Sequence, residues 1–201
     1  MKVAAPRKYY YSEIHPKIFG LWLFLGTIVM MFAGLTSAYI VRKGAGEWVN
    51  YKLPAIFWIS TLVIILSSIS IQKSYYDYKK ENYKSHRTML LVSLVLGFVF
   101  IVLQYLGWSK LASFGIRLQG NPSGAFFYVI SGLHALHVIG GIVILLIFWV
   151  RSLMRTEPVK ILLEEVNPER MVGHKLLVTY WHFIGILWIY LFSFLMINSL
   201  F

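Results

Sequence analysis

The sequence predicts an all-α integral membrane protein, one bundle of five helices with its N-terminus cytoplasmic and its C-terminus periplasmic, forming a single domain over residues 1–201. Three observations predict it. Hydrophobic residues fill 58% of the 201 positions and charged residues only 13%, too few for the hydrated shell of a soluble domain. The apolar residues gather into five runs, each close to the ~20 residues that a helix needs to cross ~30 Å of hydrocarbon. All 19 basic and 8 acidic side chains fall between or beside those runs. The placement of the charges also accounts for the net charge of +11, which points to topology and anionic lipid headgroups and away from nucleic acid. There is no cysteine, which excludes disulfides, iron–sulfur clusters and thiolate metal sites.

The first 17 residues, MKVAAPRKYYYSEIHPK, are basic and aromatic without an apolar core, so a retained tail is expected and not a cleaved leader. The first span covers about 18–41. Its Gly34 and Ala38 form a small-xxx-small pair, with Gly26 and Ala33 nearby, on a surface suited to close helix approach. The second, about 54–71, is the shortest, and Pro54 suits a helix's first turn. The third, about 88–108, contains Gln104, an amide expected to bond across helices. Asn121-Pro122-Ser123-Gly124 reads as the break before the fourth span, about 125–150, which Gly140 and Gly141 thin. The fifth covers about 176–199. Internal glycines and β-branched residues do not argue against helix here, because lipid offers the backbone no other partner. The loops are short. The longest, around 151–174, holds EEVNPER and is expected to form a small amphipathic turn.

Lysine and arginine counts set the orientation. The tail and the second and fourth loops hold fourteen, and the opposite side holds five, which places the N-terminus in the cytoplasm. Tyr9 to Tyr11, Tyr75, Tyr76 and Tyr78 are expected at the inner interface, and Trp48, Tyr51 and Trp58 at the outer one.

His134 and His137 share one face of the fourth helix, and His182 lies in the fifth within TYWHF. Intramembrane imidazoles of this kind hold a haem, bind a metal, or hydrogen-bond to neighbouring helices or a partner subunit. Counted along the helices, His134 and His137 lie ~14 and ~18 Å from the outer face, and His182 ~10 Å from the inner one. His182 is then some 10 Å off the level of the other two, whereas axial ligands of one haem must face each other. No carboxylate or cysteine at that depth completes a metal shell. Packing and hydrogen bonding are therefore favoured. A haem b membrane anchor and a small transporter are the alternative classes, the latter lacking any charged residue within the spans.

Four segments in order also resemble subunit III of the haem–copper oxidases. They are KIFGLWLFLGT from Lys17, LGFVFIVLQYLGW with Gln104, HALHVIGG from His134, and YWHFIGILWIYLF with Trp181 and His182. The chain's length matches the five-helix bacterial form. The resemblance implies a subunit without haem or copper of its own in a respiratory, proton-translocating terminal oxidase of the bacterial cytoplasmic (inner) membrane. Its implied partners are subunit I, which holds haem and copper, and subunit II, which holds copper if the donor is cytochrome c. Quinol as donor, a small subunit IV and a quinol-oxidising complex are compatible with it, as are bound membrane phospholipids. Lys17 and Arg151 match basic positions near lipid headgroups. Gly34, Ala38, Gln104, His134, His137, Gly140, Trp181 and His182 become helix-packing or subunit-interface residues. Three positions depart from the family. Where relatives commonly carry intramembrane acids, this chain has Ile28 after Thr27, Gly107 and Gly185.

Overall fold

The computed structural model describes residues 15–46, 48–154 and 168–200. Tyr9 to Tyr11 and most of the EEVNPER segment lie outside the described residues. The described residues form five helices: α1 (Pro16–Gly44), α2 (Ile56–Lys79), α3 (Tyr83–Ser113), α4 (Pro122–Leu153) and α5 (Pro168–Leu200). All five are long and apolar enough to cross a membrane, and the described residues contain no strand. The chain is a multi-pass, all-helical membrane protein.

The helices run past the apolar spans because their ends carry polar caps. His15 Nδ1 accepts from the Lys17 amide at 3.3 Å, Asn82 Oδ1 from Ser85 at 3.3 Å, and Asn121 Oδ1 from Ser123 at 2.9 Å. Pro122 opens α4 at the first turn, where its missing N–H costs nothing. Pro54 lies just ahead of α2, with its carbonyl accepting from Phe57 N at 3.1 Å. Glu81, at φ 59°, closes the tight turn that folds α3 back along α2.

Heptad spacing organises the packing. α2 buries Phe57, Ser60, Ile64, Ser67, Ile71 and Ser74 at alternating steps of three and four, and α3 answers with His86, Leu90, Ser93, Gly97, Phe100, Gln104, Gly107 and Leu111. This is the pattern of helices crossing at a shallow left-handed angle. The serines seven apart, Ser60, Ser67 and Ser74, make a polar seam. Gln104 Nε2 donates to Ser60 Oγ (3.2 Å), Ser67 Oγ to the Ser93 carbonyl (3.0 Å), and Ser74 Oγ lies 2.9 Å from His86 Nδ1. Small residues with internal partners let the backbones approach, and lipid supplies no competing water.

α5 packs against α1, α2 and α4, while α3 lies against α2 and α4. α1 is peripheral. It buries a single stripe, Leu25, Ile28, Phe32, Thr36 and Tyr39, flanked by the half-buried Leu21, Met31 and Leu35, and leaves most of its remaining surface exposed. Of the aromatics expected at the outer interface, only Trp58 is exposed. Tyr51 is buried against Phe127, and Trp48 folds onto Tyr39 at a centroid distance of 4.6 Å, so both cap the bundle end.

Candidate functional site

Besides the seam between α2 and α3, several polar contacts within the spans are made by α5. Trp181 is fully buried and is gripped by all the helices on that side. Its indole Nε1 donates to Ser67 Oγ on α2 at 3.0 Å. Adjoining edges of its six-membered ring lie against Gly97 of α3 and Gly141 of α4. A Cβ at these glycines would come within 3.0 and 2.9 Å of ring carbons Cη2 and Cζ3. One side chain on α5 thus ties together α2, α3 and α4. Ser67→Ala removes the acceptor of the indole and the donor to the Ser93 carbonyl together. It is expected to lower stability by ~1 kcal/mol, read as a small drop in the melting temperature of the detergent-solubilised chain; no drop would mean the seam is incidental.

The three histidines sit in three different settings. His134 is fully buried among the rings of Phe32, Phe100 and Trp188, with centroids at 6.4, 6.0 and 5.2 Å. Neither of its nitrogens has a hydrogen-bond partner among the described residues, which leaves the aromatic faces as weak acceptors. His137 donates from Nδ1 to the Leu133 carbonyl at 2.7 Å, and its own carbonyl accepts from Tyr180 Oη at 3.0 Å. His182 Nε2 donates to Gln72 Oε1 at 2.9 Å, joining α5 to α2. Trp188, beside His134, stands six residues beyond His182, or ~9 Å of helix. His134 and His182, at such different levels, do not fit a shared haem. Among the described residues, no three His, Asp or Glu side chains group as metal ligands.

Gln104 is buried, with only its amide nitrogen bonded. Gly34 and Ala38 face outward, and a Cβ at Gly34 would meet nothing within 4 Å. Gly140 is also exposed, and a Cβ there would reach only Tyr180 Oη at 4.0 Å, so the close internal approach on α4 is made by Gly141. Lys17 and Arg151 are exposed near the ends of α1 and α4. Two histidines outside the apolar runs had no place in the sequence-based set. His86 and His174 are buried at the other end of the bundle, where His174 stacks on Tyr78 at 4.0 Å and meets Phe148 edge-on at 5.1 Å. Buried serines spaced seven apart were the available signal for that packing, since Ser74 is the partner of His86.

Residues 47–199 match the model of a family described as cytochrome c oxidase subunit III. The chain belongs to the cytochrome c oxidase subunit III family. Relatives include a cytochrome c oxidase subunit 3 of Thermostichus vulcanus, 32% identical over 95% of this chain and 92% of its own length. A probable cytochrome c oxidase subunit 3 of Nocardia farcinica is 30% identical over 87% and 84%. One from Bacillus sp. strain PS3 is 26% identical over 94% and 89%. The chain is accordingly a component of an oxidase complex, a subunit III of a haem–copper oxidase.

The three positions at which the resemblance implies acids have distinct surroundings. Ile28 is buried in the α1 stripe. At Gly107 a Cβ would lie 2.6 Å from Cζ of Phe57, so that ring occupies the space a longer side chain would need. Gly185 faces Ser68 of α2, whose Oγ would lie 3.0 Å from a Cβ there.

Proposed function

We propose that the chain is the non-redox, scaffolding subunit of a proton-translocating terminal oxidase in a bacterial cytoplasmic membrane, with its N-terminus in the cytoplasm. The observation that carries the proposal is the family match across 47–199 combined with relatives aligned over nearly their whole length. The relatives' names support cytochrome c as electron donor rather than quinol. Haem and copper then reside in subunits I and II, and this chain holds subunit I in place. The outward faces around Gly34, Ala38 and Gly140 are the surfaces open to a neighbouring helix. His134, His137, Gln104, Trp181 and His182 keep the bundle in the shape that presents those faces. Lys17 and Arg151 meet lipid headgroups. The haem b anchor and transporter readings have no such support.

Affinity purification of the tagged chain from native membranes tests the proposal. Subunits I and II should co-purify, and the preparation should oxidise reduced cytochrome c with oxygen. Absence of both subunits, or stoichiometric haem on the chain purified alone, would overturn it. His182→Leu leaves Gln72 Oε1 without its donor and should reduce recovery of subunit I about threefold. His137→Leu should act in the same direction. The haem spectrum of the oxidase that remains should not shift; a shifted spectrum with intact assembly would contradict a scaffolding role.

A further inference from the structure

Deep in the bundle, two buried polar side chains carry atoms without a hydrogen-bond partner among the described residues. They are Oε1 of Gln104 on α3 and both ring nitrogens of His134 on α4. Gln104 is 1% exposed and His134 0%, so neither reaches lipid or solvent. The direction of the Gln104 amide is set from α2. Ser60 Oγ gives its hydrogen to the Phe57 carbonyl at 2.9 Å, and therefore accepts from Gln104 Nε2 at 3.2 Å. The amide oxygen is thereby turned away from Ser60.

The two groups stand at one level. Trp108 Nε1 donates to Ser131 Oγ at 3.1 Å, and the Phe100 ring lies 6.0 Å from that of His134, which aligns α3 and α4 as antiparallel neighbours. Gln104 is four residues from Trp108, ~6 Å of helix, and His134 three from Ser131, ~4.5 Å. Gln104 thus falls between two α3 side chains that already meet this part of α4. Phe32 and Trp188 stand on other sides of the imidazole, and Trp188 spends its own N–H on Thr61 at 2.9 Å.

We propose that one internal water molecule is held between Gln104 Oε1 and a ring nitrogen of His134, joining α2, α3 and α4 in a hydrogen-bonded chain within the membrane. A buried amide oxygen and imidazole are costly without partners, because no solvent reaches them in a span. The aromatic faces around His134 are weak acceptors and have no hydrogen to give to Oε1. Water serves both groups. It gives one hydrogen to Oε1, and it accepts from the imidazole N–H or donates to the bare nitrogen, so either tautomer suffices. A metal ion would find no carboxylate on α3 or α4 to balance its charge. The site goes beyond the scaffolding role and rests only on the packing of the bundle, so its test does not depend on co-purification with subunits I and II.

A double-mutant cycle on the detergent-solubilised full-length chain tests it. Gln104→Met and His134→Phe each strand the group that remains, and each should lower the melting temperature by about 5 °C. The double variant removes both polar groups and should also fall by about 5 °C, well short of the sum. A fall of about 10 °C, as for independent sites, would overturn the proposal. A cryo-EM map of the assembled oxidase, sharp enough to show ordered waters in the surrounding chains, gives a second readout that needs no variant. A density peak ~2.8 Å from both Gln104 Oε1 and a His134 nitrogen supports the site. A direct bond between the two side chains, or no peak between them, refutes it.

Discussion

Gly141→Leu is expected to lower the melting temperature of the detergent-solubilised chain by about 5–10 °C and to deplete the folded fraction, a loss of ~2–3 kcal/mol. Gly140→Leu, one position away, should stay within ~0.5 kcal/mol. The contrast follows from the direction in which each Cα points. A Cβ at Gly141 would stand 2.9 Å from Trp181 Cζ3 and 3.2 Å from Ile184 Cδ1, and both neighbours are fully buried. Trp181 has little room to retreat, because Gly97 backs the adjoining ring edge at Cη2 and Cζ2 and Ser67 holds its indole nitrogen. The added isobutyl group must therefore push α4 away from α5. At Gly140 the same side chain projects from the exposed face. The pair also separates folding from assembly. If Gly140→Leu melts normally yet loses subunit I on purification, that face of α4 is an interface. Equal melting of the two variants would mean that the close packing at Trp181 does not control stability.

Much of this was legible in the amino acids, for a physical reason. Lipid requires every spanning segment to satisfy its own backbone, so five uncharged runs of sufficient length leave helices as the outcome. The difference in level between His182 and His134 followed from helical rise alone, whereas His137, whose carbonyl accepts from Tyr180 Oη, lies closer to the level of His182 than the count along the helices implied. What the sequence hid was the direction each small residue faces. Gly34, Gly140 and Gly141 are alike as letters, yet only Gly141 is covered from within, and that depends on how α4 is rotated against α5. The pattern of buried residues at steps of three and four did carry the rotation. On α4 it runs through Phe127, Ser131, His134, Val138, Gly141 and Leu145 and skips Gly140 and His137. It is hard to see from hydropathy, because the lipid-facing side of a spanning helix is as apolar as its core-facing side. The polar seam of Ser60, Ser67 and Ser74 is the better guide, since hydroxyls seek partners inside the bundle. Trp48 and Tyr51 show a related limit. Their position beside the apolar runs was legible, but not that they turn inward onto Tyr39 and Phe127.

Trp181→Ala is expected to be the most damaging single change that keeps the backbone intact. Truncating a fully buried tryptophan costs ~3–5 kcal/mol in water-soluble cores, as lost transfer energy plus an unfilled cavity. In a bilayer the transfer part shrinks, because the separated helices meet acyl chains as apolar as the core. What remains is packing, and here it is concentrated. The cavity would open between Gly97 and Gly141, two residues with no side chains to relax into it, and Ser67 Oγ would lose its donor. A loss of ~3 kcal/mol, or about 10 °C in melting temperature, follows. Trp181→Phe keeps a ring between the two glycines and gives up only the indole hydrogen bond, so it should recover most of that loss and sit within ~1 kcal/mol of the unaltered chain. Because α2, α3 and α4 all meet at this side chain, the alanine variant should also recover less subunit I, whereas the phenylalanine variant should recover nearly as much as the original. If alanine and phenylalanine proved equally harmful, the hydrogen bond to Ser67 would be the controlling contact and not the ring. If both were harmless, α5 would be held in the bundle by its leucines, and the convergence on Trp181 would have no energetic weight.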